Sequence, residues 1–313
     1  MVYARIILAA LPFYILQFIF QSFFVAAEKP QIGFVVTVLS GVTNMVLDAV
    51  LVILLPQEHK LAGAAVATAM SQVVGGVIPL FYFAHKNSSI LRLGRTAFDA
   101  KIILKACVNG SSEFMSSVSM SFVSMLYNKQ LLKYAGENGV AAYGVMMYVS
   151  MIFSAAFNGY TIGTAPVIDY HDGAGDHDEL RGLLRKSLAL TGTFAVSMVA
   201  AAELFALPLA QTFVGYEAAL TSLTVSGFRR FALSFFFMGF AIFGSGFFTA
   251  LNDGITSAVI SFLRTLVFQC AAVLIFPILW AIDGIWMSIV AAEILAAGVT
   301  FLFLAGKKKR YGY

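Results

Sequence analysis

Residues 41–50 read GVTNMVLDAV and lie in the middle of an otherwise apolar run that extends from Ile32 to Leu55. Water solvates a carboxylate well and hydrocarbon solvates it poorly, so Asp48 is an unfavourable residue at the centre of such a run. Asn44 lies about one helical turn before it, which places both side chains on one face of a helix. The stretch therefore predicts either a helix that is not surrounded by lipid or a carboxylate that faces something in need of a negative charge.

The composition decides between soluble and membrane classes. Of the 313 residues, 60% are hydrophobic and 12% are charged, whereas soluble domains have about 45–50% apolar and about 25% charged residues. This predicts an all-α integral membrane protein whose main partner is the lipid bilayer. The net charge of +4 comes from basic residues between apolar runs and at the C-terminus, where membrane topology accounts for them, so no nucleic-acid partner is expected. The four His residues fall in predicted loops without ligand-like spacing, and the two Cys lie far apart, so neither a metal centre nor a disulfide framework is predicted.

Nine apolar runs are long enough to cross a bilayer as helices of about 20 residues. They cover residues 4–27, 32–55, 62–84, 104–128, 139–165, 187–213, 230–251, 255–281 and 284–305. Thirteen of the 20 Lys and Arg residues fall on the side of the C-terminus and six on the other side. Because cytoplasmic loops carry the excess of positive charge, this asymmetry predicts a multi-pass protein of the cell membrane with a cytoplasmic C-terminus and an N-terminus outside.

The first three runs resemble the last three. Arg5 matches Arg230, since each lies 18 residues before a Phe (Phe23 and Phe248). The stretch FFVAAEKPQ (23–31) matches FFTALNDGI (247–255) in layout, and AGAAVATAMSQ (62–72) matches DGIWMSIVAAE (283–293), so the offset stays between 221 and 225 residues. Six helices separate corresponding elements, and this even number makes both copies cross the membrane in the same direction, as in a parallel transporter repeat. If the last six runs form a complete unit, three N-terminal helices are expected to be absent from this chain.

Several stretches resemble, in their order and spacing, the multidrug and toxic compound extrusion (MATE) family. They are GVTNMVLDAV (41–50), GAAVATAMSQ (63–72), NGSSEF (109–114), GVAAYG (139–144), PVIDYHDGAG (166–175), ALNDG (250–254) and GIWMSIVAAE (284–293). The resemblance implies twelve helices in two six-helix lobes, of which this chain would supply helices four to twelve. It also implies export of small organic, often cationic, compounds in exchange for protons or sodium ions, with no cofactor beyond the coupling ion and no obligate protein partner.

The implied organisation has four parts. Residues 1–85 would form the second half of the N-terminal lobe, 86–103 a cytoplasmic linker, 104–306 the C-terminal six-helix lobe and 307–313 a basic cytoplasmic tail. Within the first part, the resemblance matches Asn44, Asp48 and Thr68 to the cation site of the N-terminal lobe. A buried carboxylate can take up a proton, and Asn and Thr oxygens can complete a Na⁺ shell around Asp48; no other metal is expected. The structural alternative is a hydrogen-bonded pair that joins two helices.

A second candidate site lies in the C-terminal lobe, where Glu113, Ser117, Asn128 and Asn158 are its proposed members. Glu113 begins a polar stripe at helical spacing, and some relatives use acidic residues of this lobe for cation coupling. The stripe continues through Ser117, Ser121, Ser124 and Asn128, and the next span carries Ser150, Ser154, Asn158 and Thr161. Such stripes either line a water-filled cavity or hydrogen-bond neighbouring helices. Arg264 lies about two turns into its span, within reach of the interface, and Glu203 and Glu293 lie deeper, where a structural role is possible.

Three other functions remain open from the sequence. A lipid-linked sugar flippase of the same superfamily would carry more positive charge in its cavity, whereas the basic residues here lie mainly in loops. An intramembrane enzyme would need a convergent Ser/His, His/Asp or metal set at membrane depth, and because the His residues lie in loops no catalytic residue is predicted. An inactive, truncated remnant of a transporter is the third alternative.

Overall fold

The structure is a computed structural model that describes residues 2–86, 89–94 and 98–313, with the side chains of all of them except Val2, Ser112 and Glu113. In this part of the chain every regular element is a helix, and no strand occurs. This confirms the predicted all-α membrane class. Residues 87, 88 and 95–97, which belong to the predicted linker 86–103, lie outside the described part. The chain divides into two compact units, Met1–Phe98 and Asp99–Tyr313.

The first unit consists of three helices of 25 residues each. They are α1 (Val2–Ala26), α2 (Pro30–Leu54) and α3 (Lys60–Ala84), with a 3₁₀ turn, Gln57–His59, before α3. At 1.5 Å per residue each helix is roughly 37 Å long, enough to cross a hydrocarbon layer of about 30 Å. Pro30 begins α2 because the first helical position needs no N–H donor.

Small residues and aromatic rings hold these three helices together. A Cβ built on Gly76 of α3 would stand 2.6 Å from the carbonyl oxygen of Phe13, so only glycine lets α1 approach this closely. Near the other end of α1, Phe20 stacks on Phe83 with ring centroids 5.5 Å apart. Close backbone approach is the usual means of packing helices in a membrane, where lipid is as apolar as the side chains.

The second unit contains the remaining helices. They are α4 (Ala100–Asn109), α5 (Ser111–Ala174), α6 (His177–Val214), α7 (Ala218–Ala232), α8 (Phe235–Ala250), α9 (Gly254–Phe262) and α10 (Gln269–Tyr311), with a π-helical segment, Leu263–Phe268, between the last two. Asp99 caps α4 by accepting hydrogen bonds from the backbone N–H groups of Lys101 and Ile102.

Two of these helices are too long to be single spans. A continuous helix of 64 residues would measure roughly 96 Å, about three times the hydrocarbon thickness. The chain breaks α5 at Gly136, whose φ of 63° suits glycine, and breaks α10 at Trp280 and Ala281. In addition, α7 and α8 are bent by 47°. Nine apolar helical segments then occur in the described part, if α7 with α8 counts as one, α5 as two, and α9, the π-helical segment and α10 together as two. The short helix α4 is not counted.

The core of the second unit places a cavity among these helices. Trp286 is fully buried and packs against Gly227 of α7, where a Cβ would come within 2.8 Å of the indole ring. Tyr127 and Tyr143, on the two halves of α5, stack with ring centroids 5.4 Å apart. These contacts gather α5, α7 and α10 around one interior, which the polar stripes of α5 also face.

Candidate functional sites

A row of polar side chains on α2 faces the neighbouring helices of the first unit. Gln21 of α1 donates a hydrogen bond to the Thr37 hydroxyl at 2.8 Å. The Ser40 hydroxyl donates to the carbonyl oxygen of Ser71 on α3 at 2.7 Å in a buried setting. Because Thr37, Ser40, Asn44 and Asp48 follow helical spacing, these bonds turn the face that carries Asn44 and Asp48 toward the interior of the unit.

The structure brings Asn44 and Thr68 together. The Asn44 side-chain nitrogen Nδ2 lies 3.5 Å from the Thr68 hydroxyl oxygen, which is the outer limit of a hydrogen bond. The Thr68 hydroxyl itself donates to the carbonyl oxygen of Ala64 at 3.1 Å. The lone pairs of Thr68 are therefore only weakly engaged by Asn44.

Asp48, one turn beyond Asn44, is half-buried, and its Oδ1 atom is sealed from solvent without a hydrogen-bond partner among the described residues. Buried carboxylate oxygens normally accept hydrogen bonds, because an unpaired one loses its hydration without compensation. The group can act chemically as a proton acceptor or, with the oxygens of Asn44 and Thr68, as a ligand for a hard cation.

The second unit contains a cavity of about 400 Å³. Ser117 and Asn158, two predicted members of the second site, line it, whereas Asn128 is half-buried outside its lining. The side chain of Glu113, the predicted acidic member, lies outside the described residues. Other hydroxyl groups of the two predicted stripes also line the cavity: Ser121, Ser124, Ser150 and Ser154. Thr161 does not line it, and its hydroxyl donates to the carbonyl oxygen of Phe157 at 2.9 Å.

An ion pair that the sequence analysis did not predict lies in the wall of this cavity. The Arg264 guanidinium donates its Nε–H to both carboxylate oxygens of Glu293, at 2.9 and 3.1 Å. The Arg264 side chain is 17% exposed and the Glu293 side chain 5%. Arg264 therefore does not extend toward the interface as expected from its depth in the span. It turns inward and is paired.

Two hydroxyl networks contribute to the wall of the same cavity. The Tyr127 hydroxyl lies 2.8 Å from both the Gln269 side-chain oxygen and the Ser288 hydroxyl. In the second network, the Ser245 hydroxyl lies 2.8 Å from the hydroxyl groups of both Ser257 and Ser261. The cavity wall thus combines one guanidinium, one carboxylate and many hydroxyl groups with apolar side chains.

One feature of the sequence indicates the ion pair. Arg264 and Glu293 are two opposite charges in adjacent apolar runs, and charges at membrane depth usually pair with one another. Arg264 lies in the π-helical segment Leu263–Phe268. Such segments rotate the following side chains away from the 3.6-residue period and are frequent at functional sites.

Comparison with known proteins agrees with this architecture. The family model described as MatE matches residues 113–275, and the model described as Lipid II flippase MurJ matches residues 5–133. The multidrug export protein MepA of Staphylococcus saprophyticus is 23% identical over 306 residues; the match covers 94% of this chain and 64% of MepA. The chain thus spans less than two thirds of the length of that relative.

Solved structures share the fold of the chain. A crystal structure of MATE in complex with MaL6 matches with a TM-score of 0.92 and 22% identity, covering 99% of this chain and 70% of that one. The outward-facing conformation of a multidrug resistance MATE transporter matches with a TM-score of 0.91 and 23% identity, over 99% and 70%. These matches confirm the two-lobe fold that the resemblance implied. Since the MatE model covers more than half of the sequence, the chain belongs to the MATE family, whose members are transporters and not enzymes.

Proposed function

We propose that the protein is a secondary active antiporter that exports small organic compounds in exchange for protons or sodium ions. Family membership supports active export, and the relative from Staphylococcus saprophyticus carries the name of a multidrug export protein. Helices long and apolar enough to cross a membrane make the chain a multi-pass membrane protein. The excess of Lys and Arg on one side favours the cell membrane with the C-terminus in the cytoplasm.

The unpaired carboxylate oxygen of Asp48 is the observation that carries the proposal. An ionised carboxylate that is held away from water without a donor is unfavourable. Binding a proton or a Na⁺ ion removes this penalty, so the occupancy of Asp48 affects the free energy of the surrounding helices. A conformation that opens the site to one side of the membrane would bind the ion from that side. Coupling of ion entry to export requires that ion binding favours one conformation over the other.

Asn44 and Thr68 supply the further oxygens that a cation would need. Asn44 lies one helical turn before Asp48 on α2, and Thr68 of α3 lies 3.5 Å from Asn44. This long contact leaves the Asn44 side chain able to reorient toward an ion. Proton coupling needs only the carboxylate, whereas Na⁺ needs several oxygen ligands; we keep both ions as candidates, with no other metal.

Replacement of Asp48 by Asn tests the proposal. Asn has nearly the same shape but cannot carry the negative charge, so we expect Asp48→Asn to abolish ion-driven accumulation of a fluorescent substrate in inverted membrane vesicles. An imposed proton gradient and an imposed Na⁺ gradient are applied in separate experiments to identify the ion. Glu58→Gln, at an exposed carboxylate of the same unit, is the matched control and should transport normally. Full transport by Asp48→Asn, at equal membrane content, would refute the proposal.

A lipid-linked sugar flippase is the second candidate, because the MurJ model matches residues 5–133. A pyrophosphate-linked lipid carries several negative charges and calls for several basic side chains in the cavity. Among the described residues that line the cavity of the second unit, Arg264 is the one basic side chain, and Glu293 balances its charge. We therefore favour the antiporter. Flipping of a labelled polyprenyl pyrophosphate in vesicles without an ion gradient would reverse this preference.

A further inference from the structure

We propose that the cavity of the second unit binds organic molecules through an oxyanion group placed on Arg264, so that carboxylated or zwitterionic compounds bind here more tightly than purely cationic ones. The inference rests on the proposed function in that it names the chemical class of the exported compounds. It depends on which of the two charges in the cavity wall is available to a ligand.

The guanidinium of Arg264 is the available charge. Its Nε–H is shared between the two oxygens of Glu293, whereas its terminal nitrogens Nη1 and Nη2 have no hydrogen-bond partner among the described residues. Neither terminal nitrogen belongs to the buried polar atoms that lack a partner, so both are accessible from outside the protein interior. Since Arg264 lines the cavity and is the more exposed member of the pair, its terminal N–H groups are open to a ligand there.

Glu293 is poorly placed to bind a cation. Both of its oxygens already accept the Nε–H of Arg264, and its side chain is only 5% exposed. A cationic ligand would have to displace or approach the positive guanidinium before it reached the carboxylate. Among the described residues that line the cavity no other side chain carries a formal charge. Among the described lining residues, the cavity therefore offers hydrogen-bond donors from a positive group and no free negative group.

The ion pair also prepares Arg264 for binding. Glu293 holds one edge of the guanidinium, and the fork of terminal N–H groups matches a carboxylate, sulfonate or phosphate, which can accept two parallel hydrogen bonds. Because the guanidinium is held in place before the ligand arrives, less side-chain entropy is lost on binding. Arg264 thus acts as the anchor and Glu293 as the residue that positions it.

The rest of the cavity suits an amphiphilic organic molecule. Met120, Met147, Met238 and Phe231 form apolar parts of its wall, and Met side chains adapt to ligands of different shape. Serine hydroxyl groups on both halves of α5 can donate to or accept from polar substituents of a ligand. The volume of about 400 Å³ falls within the usual range of small-molecule sites, about 300–1,000 Å³.

Two dyes with the same ring system test the inference. One is a rhodamine with a free carboxylate, and the other is its methyl ester, which is a pure cation. Binding to the full chain in lipid nanodiscs is measured by fluorescence anisotropy without any ion gradient. We expect the carboxylate dye to bind at least about tenfold more tightly, since a charge-assisted hydrogen bond contributes more than a neutral one.

Variants then assign the preference to Arg264. The double variant Arg264→Gln/Glu293→Gln keeps hydrogen-bonding groups but removes both charges, and it should bind the two dyes with equal affinity. The matched control, Arg229→Gln/Glu203→Gln, removes an ion pair with N–O distance 3.4 Å that does not line the cavity, and it should retain the preference.

The binding experiment can overturn the inference independently of any transport measurement. Absence of carboxylate-dye binding, equal or tighter binding of the ester to the unmodified protein, or a preference that survives in the double variant would each overturn the inference. The comparison on the unmodified protein decides the question even if the double variant does not fold. Because binding is measured at equilibrium, loss of transport in Asp48→Asn has no bearing on the outcome, and the two proposals can fail independently.

Discussion

The guanidinium of Arg264 and the carboxylate of Glu293 form a part-buried ion pair in which one N–H serves both oxygens, at 2.9 and 3.1 Å. The two residues lie 29 positions apart, on segments that the break at Trp280 and Ala281 separates. Removing both charges from water is unfavourable, and the attraction between them offsets that loss only while both are present. The pair is therefore more sensitive to loss of one partner than to loss of both.

We expect Glu293→Gln alone to destabilise the second unit more than the double variant Arg264→Gln/Glu293→Gln. The single change leaves a guanidinium that is 17% exposed without its counter-charge. Loss of one partner costs about 3–5 kcal/mol in fully buried pairs, and we expect a smaller cost here. The apparent melting temperature of the purified protein, followed by the fluorescence of Trp280 and Trp286, measures the effect. A double variant that melts below the single variant would show that the pair is not coupled in this way.

The sequence predicted the spans but not this pair. Apolar runs mark spanning helices because a backbone in lipid must satisfy its hydrogen bonds within the helix. The run predicted at 187–213 nevertheless begins as a helix at His177, since Asp176 accepts a hydrogen bond from the Glu179 backbone N–H and the polar first turns extend into the aqueous layer. Hydropathy detects only the part of a helix that lies in lipid.

Side-chain direction within the spans was harder to predict. The faces of α2 and α5 follow regular helical spacing, and their polar residues lie where that spacing puts them. Arg264 lies in a π-helical segment, where the 3.6-residue period no longer gives the direction of a side chain. Asn128 lies on the predicted stripe of α5 but not in the cavity lining, because a stripe that extends over four turns is longer than the cavity it borders.

The close approach of α1 and α3 gives a test of packing in the first unit. We expect Gly76→Ala to separate these helices, because the added Cβ would stand 2.6 Å from the Phe13 carbonyl oxygen and the backbone must move. Gly41→Ala, on α2, adds a Cβ that meets nothing within 4 Å; it should be neutral or stabilise by up to about 1 kcal/mol. Hydrogen–deuterium exchange of the α1 backbone measures the effect of both substitutions. Equal protection in the two variants would contradict the packing argument.

Thr68 distinguishes sodium coupling from proton coupling. If Na⁺ is the coupling ion, we expect Thr68→Ala to weaken Na⁺-driven transport by about tenfold or more, because the hydroxyl oxygen would be a direct ligand. If the ion is a proton, the carboxylate of Asp48 suffices and Thr68→Ala should have little effect. Thr43→Ala is the control, since that hydroxyl donates to the Leu39 carbonyl oxygen at 2.7 Å and is exposed. Transport in vesicles under each gradient distinguishes the two ions. If Thr43→Ala lost as much transport as Thr68→Ala, the data would not support Thr68 as a ligand.

The end of the chain is held against the turn between α8 and α9. Lys307 lies 2.5 Å from the Asp253 carboxylate, and the Tyr311 hydroxyl donates to the same oxygen at 2.9 Å. Asp253 also caps α9 through the backbone N–H and hydroxyl of Thr256. Tyr313, only 2% exposed, donates its hydroxyl to the Leu304 carbonyl oxygen. Residues 307–311 continue α10, and they are anchored by a carboxylate whose side chain is only 9% exposed.

This anchor predicts a loss of stability in acid. Burial alone would raise the pKa of Asp253, but hydrogen bonds from Lys307, Thr256 and Tyr311 outweigh it and lower the pKa from 3.8 to about 2. Because the folded-state pKa is depressed, the stabilisation is complete above the unfolded-state pKa and disappears as the pH falls from about 4 to about 2, by an amount on the order of 2 kcal/mol. Asp253→Asn should lack this stabilisation at neutral pH. Its free energy of unfolding should therefore show no further loss from this group as the pH falls from about 4 to about 2. We therefore expect the melting temperatures of the unmodified protein and Asp253→Asn to differ at neutral pH and to converge in acid. A difference that stays constant over this pH range would show that the carboxylate does not anchor the end of the chain through its charge.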